Sequence, residues 1–207
     1  MRSNTSTGWP IAAIVLAAGE SRRMKGQNKL LLPLEQSTVL ETVVDRLCRL
    51  PFQEHIIVLG KDADRMLPLL QRHPVRIVQN PDFHAGISTS IRVGVQAAEN
   101  RPEGYLFYLA DMPFVLPETI VALCEAFLQH PNAGIVLPVY RHRRGNPVIV
   151  QRKLTAELLA LRGDAGARQL MQRFVHIVHE VPVNDSGIHR DIDTAADARK
   201  WLGKEQR

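Results

Sequence analysis

Short apolar runs of strand length alternate with helical patterns from residue 11 to about residue 140, and this alternation restricts the fold more than any other feature. The runs are rich in branched or aromatic side chains, which is typical of buried strands. Strands that alternate with helices along a chain form a mostly parallel sheet with helices on both faces. We therefore predict a doubly wound α/β fold. The predicted strands are 11–16, 55–60, 75–78, 105–109 and 134–139.

The alternation breaks after residue 140. A polar turn is followed by a short strand, two helices, an extended segment and a closing helix. We interpret this C-terminal part as an elaboration of the same domain that covers the ligand-bearing edge of the sheet. Its predicted elements are at 140–145, 147–150, 154–161, 165–174, 175–183 and 194–202.

Composition indicates a soluble globular protein, because 45% of the 207 residues are hydrophobic and 23% are charged. We predict a flexible polar tail at 1–9 and a single domain at 10–207. Cys48 and Cys124 lie in apolar helical patterns, which indicates buried thiols and a cytoplasmic location. No apolar run is long enough to span a membrane. The net charge of +5 comes from dispersed basic residues with few aromatic residues, so we expect small anions rather than nucleic acid as partners.

The first predicted strand leads into small residues and then into concentrated positive charge. Small residues at 17–19 let backbone N–H groups approach phosphate oxygens, and basic side chains neutralise such oxygens. The residues alone are equally compatible with a phosphate-binding loop and with a solvated basic loop. The basic residues of the loop are Arg22, Arg23, Lys25 and Lys29.

The same stretch resembles a known signature. Leu16-Ala-Ala-Gly-x-Ser-x-Arg-Met24, followed by Asn28-Lys29-Leu-Leu, resembles the loop of the nucleotidyltransferases that activate small phosphorylated molecules with an NTP. Within them, it is most similar to the molybdenum cofactor cytidylyltransferase branch of the MobA-like NTP transferases. That family usually has Gly directly after Arg-Met, where this chain has Lys25.

The resemblance implies that the loop binds the nucleotide, with Arg23 and Lys29 as catalytic residues at the triphosphate. A second segment, in which Asn80-Pro is followed by Gly-x-Ser-x-Ser at 86–90, resembles the part of the family that faces the nucleotide. Taken alone, that segment is also compatible with a helix start capped by hydroxyl groups. The implied nucleotide-binding residues are Leu16, Ala17, Ala18, Gly19, Arg23, Lys29, Asn80, Gly86, Ser88 and Ser90.

Asp111 follows the fourth predicted strand directly and precedes Met-Pro. Ligands of open α/β sheets lie beyond the carboxyl ends of the strands, so this carboxylate is a candidate metal ligand. By position alone, a turn residue or helix cap is the other interpretation. The resemblance identifies Asp111 with the family's catalytic, metal-binding aspartate, although Ala110 stands where the family usually has Gly.

Asp191 and Asp193 alternate on a predicted extended segment, so both carboxylates face the same side. In the family, an aspartate of this Asp-Ile-Asp-Thr segment helps to hold magnesium opposite the first aspartate. The pattern leaves open which of the two does so. We predict Asp191, because Asp193 is nearer to Thr194, the expected cap of the closing helix. The implied cofactor is therefore Mg²⁺, bound by Asp111 and Asp191.

Two further turns resemble the acceptor side of the family. Arg144-Gly-Asn146-Pro resembles a Gly-His-Pro segment, with Asn146 in the place of His, and 163–168 resembles a Gly-Asp-x-Gly-Ala-Arg segment. Taken alone, each is a turn with a charged neighbour. The resemblance implies that Arg144, Asn146 and Arg168 bind the acceptor, with the two arginines at its phosphate. It also implies a nucleotide-binding half at 10–140 and an acceptor-side elaboration with a closing helix at 141–207.

The resemblance extends from about residue 11 to residue 200 and implies a Rossmann-like fold of the nucleotide-diphospho-sugar transferase type. We therefore predict magnesium-dependent transfer of CMP from CTP to the terminal phosphate of molybdopterin, with release of pyrophosphate. A molybdenum hydroxylase apoenzyme is a further expected partner, and neither nucleic acid nor a membrane is expected.

Three alternatives to this activity remain. One is a nucleotidyltransferase of the same family that uses GTP or another small phosphorylated acceptor. The small residues at 17–19 favour cytidine, because the guanylyltransferases tend towards Leu-Ala-Gly-Gly. The second is a nucleotide-sugar glycosyltransferase, and the basic loop argues against it. The third is a catalytically silent module that delivers the cofactor.

Overall fold

A mixed sheet of mostly parallel strands forms the centre of the fold in the computed structural model, which describes residues 8–24, 26–164 and 166–202. The strands are β1 (Trp9–Ala17), β2 (Pro33–Leu34), β3 (Ser37–Thr38), β4 (Phe52–Leu59), β5 (Arg76–Gln79), β6 (Gly104–Leu109), β7 (Ile135–Tyr140), β8 (Arg143–Arg144), β9 (Val148–Gln151) and β10 (Val178–Pro182). The α-helices are α1 (Val39–Cys48), α2 (Ala63–Leu70), α3 (Ile87–Ala97), α4 (Pro117–Gln129), α5 (Thr155–Ala160), α6 (Ala167–Arg173) and α7 (Ala195–Trp201).

The strand order across the sheet is β5-β4-β1-β6-β9-β7-β10, with β8 paired to β7. β1 is parallel to β4 and β6, β4 is parallel to β5, and β7 is parallel to β10. β9 lies antiparallel between β6 and β7, and β2 and β3 form a separate hairpin. The predicted doubly wound α/β fold is confirmed. The insertion of β9 into the sheet was not predicted, because strand pairing between distant segments leaves no local pattern.

The direction of winding reverses at β1. From β1 the chain proceeds to β4 and β5 on one side, and it later places β6 on the other side. In open α/β sheets, the ligand crevice lies outside the carboxyl ends of the strands at such a reversal. The loops that follow β1 and β6 therefore meet at the edge where a ligand is expected.

Both faces of β1 are covered, which explains its continuous apolar run. Ile11, Ala13 and Val15 belong to one hydrophobic cluster, whereas Ala12 and Ile14 belong to the other, as the period-two alternation of a strand requires. Apolar residues of α1, α2 and α4 complete the first cluster. Those of α3, α5 and α6 complete the second.

Two helices begin with capping boxes, each of which matches a Thr-x-x-Glu or Thr-x-x-Asp pattern in the sequence. Thr38 Oγ1 accepts the N–H of Glu41 at the start of α1, and the Glu41 carboxylate accepts the N–H of Thr38 in return. Thr194 and Asp197 make the same reciprocal pair at the start of α7. Among the helices in the described ranges, none has the length and apolar character needed to cross a membrane.

β1 begins at Trp9, earlier than the predicted apolar run. The N–H of Trp9 donates to the carbonyl oxygen of Pro51 at 2.7 Å, and its ring lies 5.1 Å from the ring of Phe52. These contacts extend the strand towards the N-terminus. Residues 1–7 of the predicted tail lie outside the described residues.

Candidate active site

Charged side chains from three distant segments converge at the carboxyl ends of β1 and β6. Lys29 lies in the loop after β1, Asp111 follows β6, and Asp193 precedes α7. The Nζ atom of Lys29 is 2.5 Å from Oδ2 of Asp111 and 3.1 Å from Oδ1 of Asp193. Arg23 forms a second ion pair with Asp193. Two cations and two carboxylates thus form one cluster, hereafter the Lys29 cluster.

The backbone around Lys29 is fixed by side-chain hydrogen bonds. Ser21 Oγ accepts the N–H of Lys29 at 3.2 Å, and the side-chain oxygen of Asn28 accepts the N–H of Leu30 at 3.0 Å. The Asn28 amide also donates to Asp62 Oδ2 at 3.0 Å. Asn28 and Lys29 are only 4% and 8% exposed, so these polar groups are held in place rather than solvated.

Asp111 and the Asp193 segment are joined through their backbones. The N–H of Ile192 donates to the carbonyl oxygen of Asp111 at 2.9 Å, and the Ile192 side chain is fully buried. The side chains on either side of Ile192 point away from the core, as alternation requires. Asp193 faces the Lys29 cluster, whereas Asp191 is exposed.

The reason for preferring Asp191 over Asp193 as a metal ligand does not hold. The cap of α7 consists of Thr194 and Asp197, so the side chain of Asp193 is not needed there. It forms ion pairs with Arg23 and Lys29 instead. The sequence contained this signal, because Thr-x-x-Asp at 194–197 is itself a capping-box pattern.

The pKa values of Lys29 and Asp111 both lie above their ordinary values. Burial lowers the pKa of Lys29, but the carboxylates of Asp111 and Asp193 outweigh burial, so its pKa lies above the ordinary value and the amine is protonated at neutral pH. Burial raises the pKa of Asp111, Lys29 opposes this effect, and the nearby charge of Asp191 adds to it. Asp191 therefore lies within electrostatic range of Asp111 although it points to solvent.

The Lys29 cluster lines a cavity of about 430 Å³. The loop after β5 and the start of α3 form another part of its wall. Phe83 and His84 also line it, and sequence reasoning missed both, although they lie between two recognised motifs. The predicted site residues on the cavity wall are Leu16, Ala18, Gly19, Arg23, Lys29, Gly86, Ser90 and Asp111.

Ala17, Asn80 and Ser88 were predicted to bind nucleotide, but they do not lie on the cavity wall. Asn80 is 2% exposed, and its amide donates to Thr89 Oγ1 at 2.8 Å and to Ser90 Oγ at 3.0 Å. Asn80 therefore links the loop after β5 to α3, behind the wall of the cavity. Ser88 is fully buried, and its hydroxyl has no hydrogen-bond partner among the described residues. Ala17 belongs to the hydrophobic core.

A second cavity, of about 870 Å³, adjoins the first. The predicted acceptor residues Arg144, Asn146 and Arg168 all lie on its wall. Arg144 is paired there with Glu180, at 2.6 Å. The two cavities share four wall residues, which are Leu16, Ile87, Leu109 and Asp164.

Two of the three departures from the family pattern, Ala110 and Asn146, are described by the structure. Ala110 is buried, and its N–H donates to the carbonyl oxygen of Leu16 at 3.2 Å. Its β-carbon therefore fits where the family usually has Gly. Lys25 and Ala165 lie outside the described residues.

The oxygen donors beside Lys29 fit a hard divalent cation. Magnesium sites commonly use one or two carboxylates and complete their coordination with substrate phosphates and water. Asp111 and Asp193 provide two carboxylates on one cavity wall. Within the described ranges, no group of three or more His, Cys, Asp and Glu side chains is placed to hold a metal ion. Substrate phosphates and water are the ligands that would complete the coordination of an ion held by these two carboxylates.

Comparison with known proteins shows the family to which the chain belongs. The model of the MobA-like NTP transferase domain matches residues 13–179. A nicotine blue oxidoreductase of Paenarthrobacter nicotinovorans is 28% identical over 200 residues, covering 93% of this chain and 96% of that protein. The molybdenum cofactor cytidylyltransferase of Escherichia coli is 29% identical over 191 residues, covering 90% and 93%.

A solved structure extends the comparison. The Rv0371C protein of Mycobacterium tuberculosis, in complex with manganese, is 30% identical to this chain with a TM-score of 0.78. The match covers 93% of this chain and 98% of that one. The resemblance inferred from the sequence is thus confirmed: the chain belongs to the MobA-like NTP transferases and is a nucleotidyltransferase.

Proposed function

We propose that this protein transfers CMP from CTP to the terminal phosphate of a molybdopterin-type acceptor, with Mg²⁺ as cofactor. The observation that carries the proposal is the Lys29 cluster, which lines the smaller of two cavities with shared wall residues, at the winding reversal of the sheet. A reaction between two anions needs a site that brings both together and compensates their charge.

The proposed reaction needs no general base. An oxygen of the acceptor phosphate forms a bond to the α-phosphorus of CTP, while the bond from that phosphorus to the bridging oxygen breaks. Pyrophosphate leaves with the electron pair of the broken bond. Because the acceptor phosphate is already ionised at neutral pH, the protein contributes positioning and charge compensation.

The residues of the smaller cavity are assigned to the nucleotide. Lys29, whose side chain is 10% exposed, holds phosphate from within, and Arg23, at 72%, reaches phosphate from the rim. Leu16, Ala18 and Gly19 provide the close backbone approach. Gly86 and Ser90 form another part of the cavity wall.

Asp111 and Asp193 are the residues that would hold Mg²⁺, with Asp191 close enough to contribute through its charge. We prefer Asp193 to Asp191 because it lines the same cavity as Asp111. When bound, the ion supplies Lewis-acid stabilisation of phosphate charge.

The larger cavity is assigned to the acceptor. Arg144, Asn146 and Arg168 converge on it from two separate segments, and Arg168 and Arg144 suit a phosphate. This assignment makes residues 10–140 the nucleotide-binding half and residues 141–207 the acceptor side. A molybdenum hydroxylase apoenzyme is the proposed recipient of the product.

Pyrophosphate release tests the proposal directly. The purified protein is incubated with CTP, GTP, ATP or UTP, with and without molybdenum cofactor and with Mg²⁺ present or removed by chelation. We expect release only with CTP, acceptor and Mg²⁺ together. Release with GTP instead favours the guanylyl alternative.

Two further results would overturn the proposed reaction. One is acceptor binding without pyrophosphate release from any NTP, as expected of a delivery module. The other is an oxidoreductase activity without nucleotidyl transfer. That second result would group the chain with the relative named nicotine blue oxidoreductase. Sequence identity does not decide between that relative and the cytidylyltransferase, because the two are 28% and 29% identical to this chain.

A further inference from the structure

Arg46, in the last turn of α1, contacts the loop that carries Asp111. Its Nη1 atom donates to the carbonyl oxygen of Pro113 at 2.6 Å and also to that of Val115. One guanidinium group thus binds two carbonyl groups of the segment between β6 and α4. Arg46 does not line either of the cavities described above.

The neighbouring carbonyl groups of this loop are also held. The phenol of Tyr108, which is 1% exposed, donates to the carbonyl oxygen of Met112 at 2.8 Å. The N–H of Ile192 donates to that of Asp111 at 2.9 Å. With the two bonds from Arg46, four carbonyl groups between residues 111 and 115 have defined partners. A backbone fixed at this many points leaves the Asp111 side chain little freedom of direction.

We propose that Arg46 is a positioning residue that sets the place of the Asp111 carboxylate relative to Lys29. The inference rests on the proposed function, in which Asp111 holds the metal ion. α1 follows the Lys29 loop in sequence, so Arg46 connects the element after the cationic loop to the loop of the carboxylate. Arginine suits this task because its planar group offers several donors in fixed directions, whereas lysine offers a single flexible ammonium group.

The test uses R46M and R46K, with R49M as the matched control. Arg49 is the C-cap residue of the same helix and is exposed, so its loss removes a charge without touching the loop. Four quantities are measured: Mn²⁺ affinity by electron paramagnetic resonance without nucleotide, hydrogen exchange of the backbone N–H groups of residues 111–116 other than Pro113, and the kcat and KM for CTP.

We expect R46M to lower kcat and Mn²⁺ affinity by about tenfold to hundredfold, since a displacement near 1 Å costs this much. Its KM for CTP should stay within about twofold of wild type, because Lys29 and Arg23 are unchanged. Exchange should rise in 111–116. R46K should fall between R46M and wild type, and R49M should match wild type.

The inference is overturned if folded R46M keeps wild-type exchange and Mn²⁺ affinity. It is equally overturned if kcat falls while both of those are unchanged. Where R46M fails to fold, R46K decides the matter, and wild-type values for R46K reject the positioning role. A wild-type protein that releases no pyrophosphate refutes the proposed function alone, because exchange still reports on Arg46.

Discussion

Lys29 and Asp111 form an ion pair with Nζ 2.5 Å from Oδ2, across 82 positions of the chain. Their side chains are 10% and 20% exposed, so both charges are largely removed from water. A buried charge is tolerated when it is paired, and removing one partner leaves the other uncompensated. Substitution of either residue should therefore destabilise the protein by breaking the same ion pair, whereas the two substitutions should have different effects on catalysis.

Replacing Asp111 by Asn should reduce kcat by about 1,000-fold, because the site loses its most enclosed carboxylate while its shape is kept. Pyrophosphate release measures the rate, and circular dichroism verifies the fold. Asp64 is an exposed aspartate on α2, so D64N is the control and should retain wild-type activity. A near-normal rate for D111N with Mg²⁺ would remove Asp111 from the mechanism.

The same substitution should lower the free energy of unfolding by about 1–3 kcal/mol, because the Lys29 ammonium group loses its nearest partner. The double variant D111N/K29M should recover much of this loss, since no unpaired charge then remains beside Asp193 and Arg23. It should nevertheless stay inactive. Urea unfolding of the wild type and the variants measures the coupling, and strict additivity would mean that the pair has no energetic link.

Lys29→Met should act mainly on the use of nucleotide. Loss of the enclosed cation removes a charge-assisted contact with phosphate, and we expect the KM for CTP to rise by about tenfold to hundredfold. Steady-state kinetics over a range of CTP concentrations measures the change. Lys153 is exposed and remote from both cavities, so K153M is the control. Unchanged kinetics in K29M would reject the assignment of the loop.

A paired comparison separates the two aspartates before α7. Asp193→Asn removes a carboxylate that lines the cavity, whereas Asp191→Asn removes one that is exposed. We expect D193N to raise the Mg²⁺ concentration for half-maximal rate by about tenfold or more, and D191N to change it by less than about threefold. Titration of Mg²⁺ at fixed CTP measures both values. The reverse ranking would restore Asp191 as the metal ligand.

The strands of four or more residues, the doubly wound fold and the position of Asp111 were predictable because each depends on a local pattern, whereas the two-residue strands β2, β3 and β8 were not predicted. An apolar run of strand length marks β6, and the residue that follows such a strand lies at the ligand edge. The partner of Lys29 was not predictable, because an ion pair between remote segments depends on how they pack. Asn80 belongs to a motif that the sequence identifies, but its role depends on packing. The structure shows that its amide N–H group and its amide oxygen both form hydrogen bonds within the protein.

Asn80 should therefore contribute to stability rather than directly to nucleotide contact. N80A removes an amide that serves the hydroxyl groups of the buried residues Thr89 and Ser90 as well as the N–H of Asp82, and leaves these groups without this partner. We expect a loss of about 1–3 kcal/mol in the free energy of unfolding. Urea unfolding measures it, with the exposed Asn132 replaced by Ala as the control. A stable N80A variant with a raised KM for CTP would instead support the original assignment.

His55 on β4 should make stability depend on pH in mildly acidic solution. Burial lowers the pKa of its imidazole, although its hydrogen bonds to backbone carbonyls oppose this, and Nε2 donates to Leu47 O at 2.9 Å. The unfolded chain, with a histidine pKa of about 6.5, then binds the proton more readily than the native state. The contribution of neutral His55 to the stability of the native state is complete above about pH 6.5 and declines as the pH falls through that value. His179 acts in the same direction, because burial and the neighbouring His130 lower its pKa too.

Urea unfolding at pH 7.5 and pH 5.5 tests this prediction for His55. The free energy of unfolding should decrease less between the two pH values for H55Q than for wild type, whatever the variant's absolute stability. An equal decrease in both proteins would show that His55 titrates alike in the native and unfolded states.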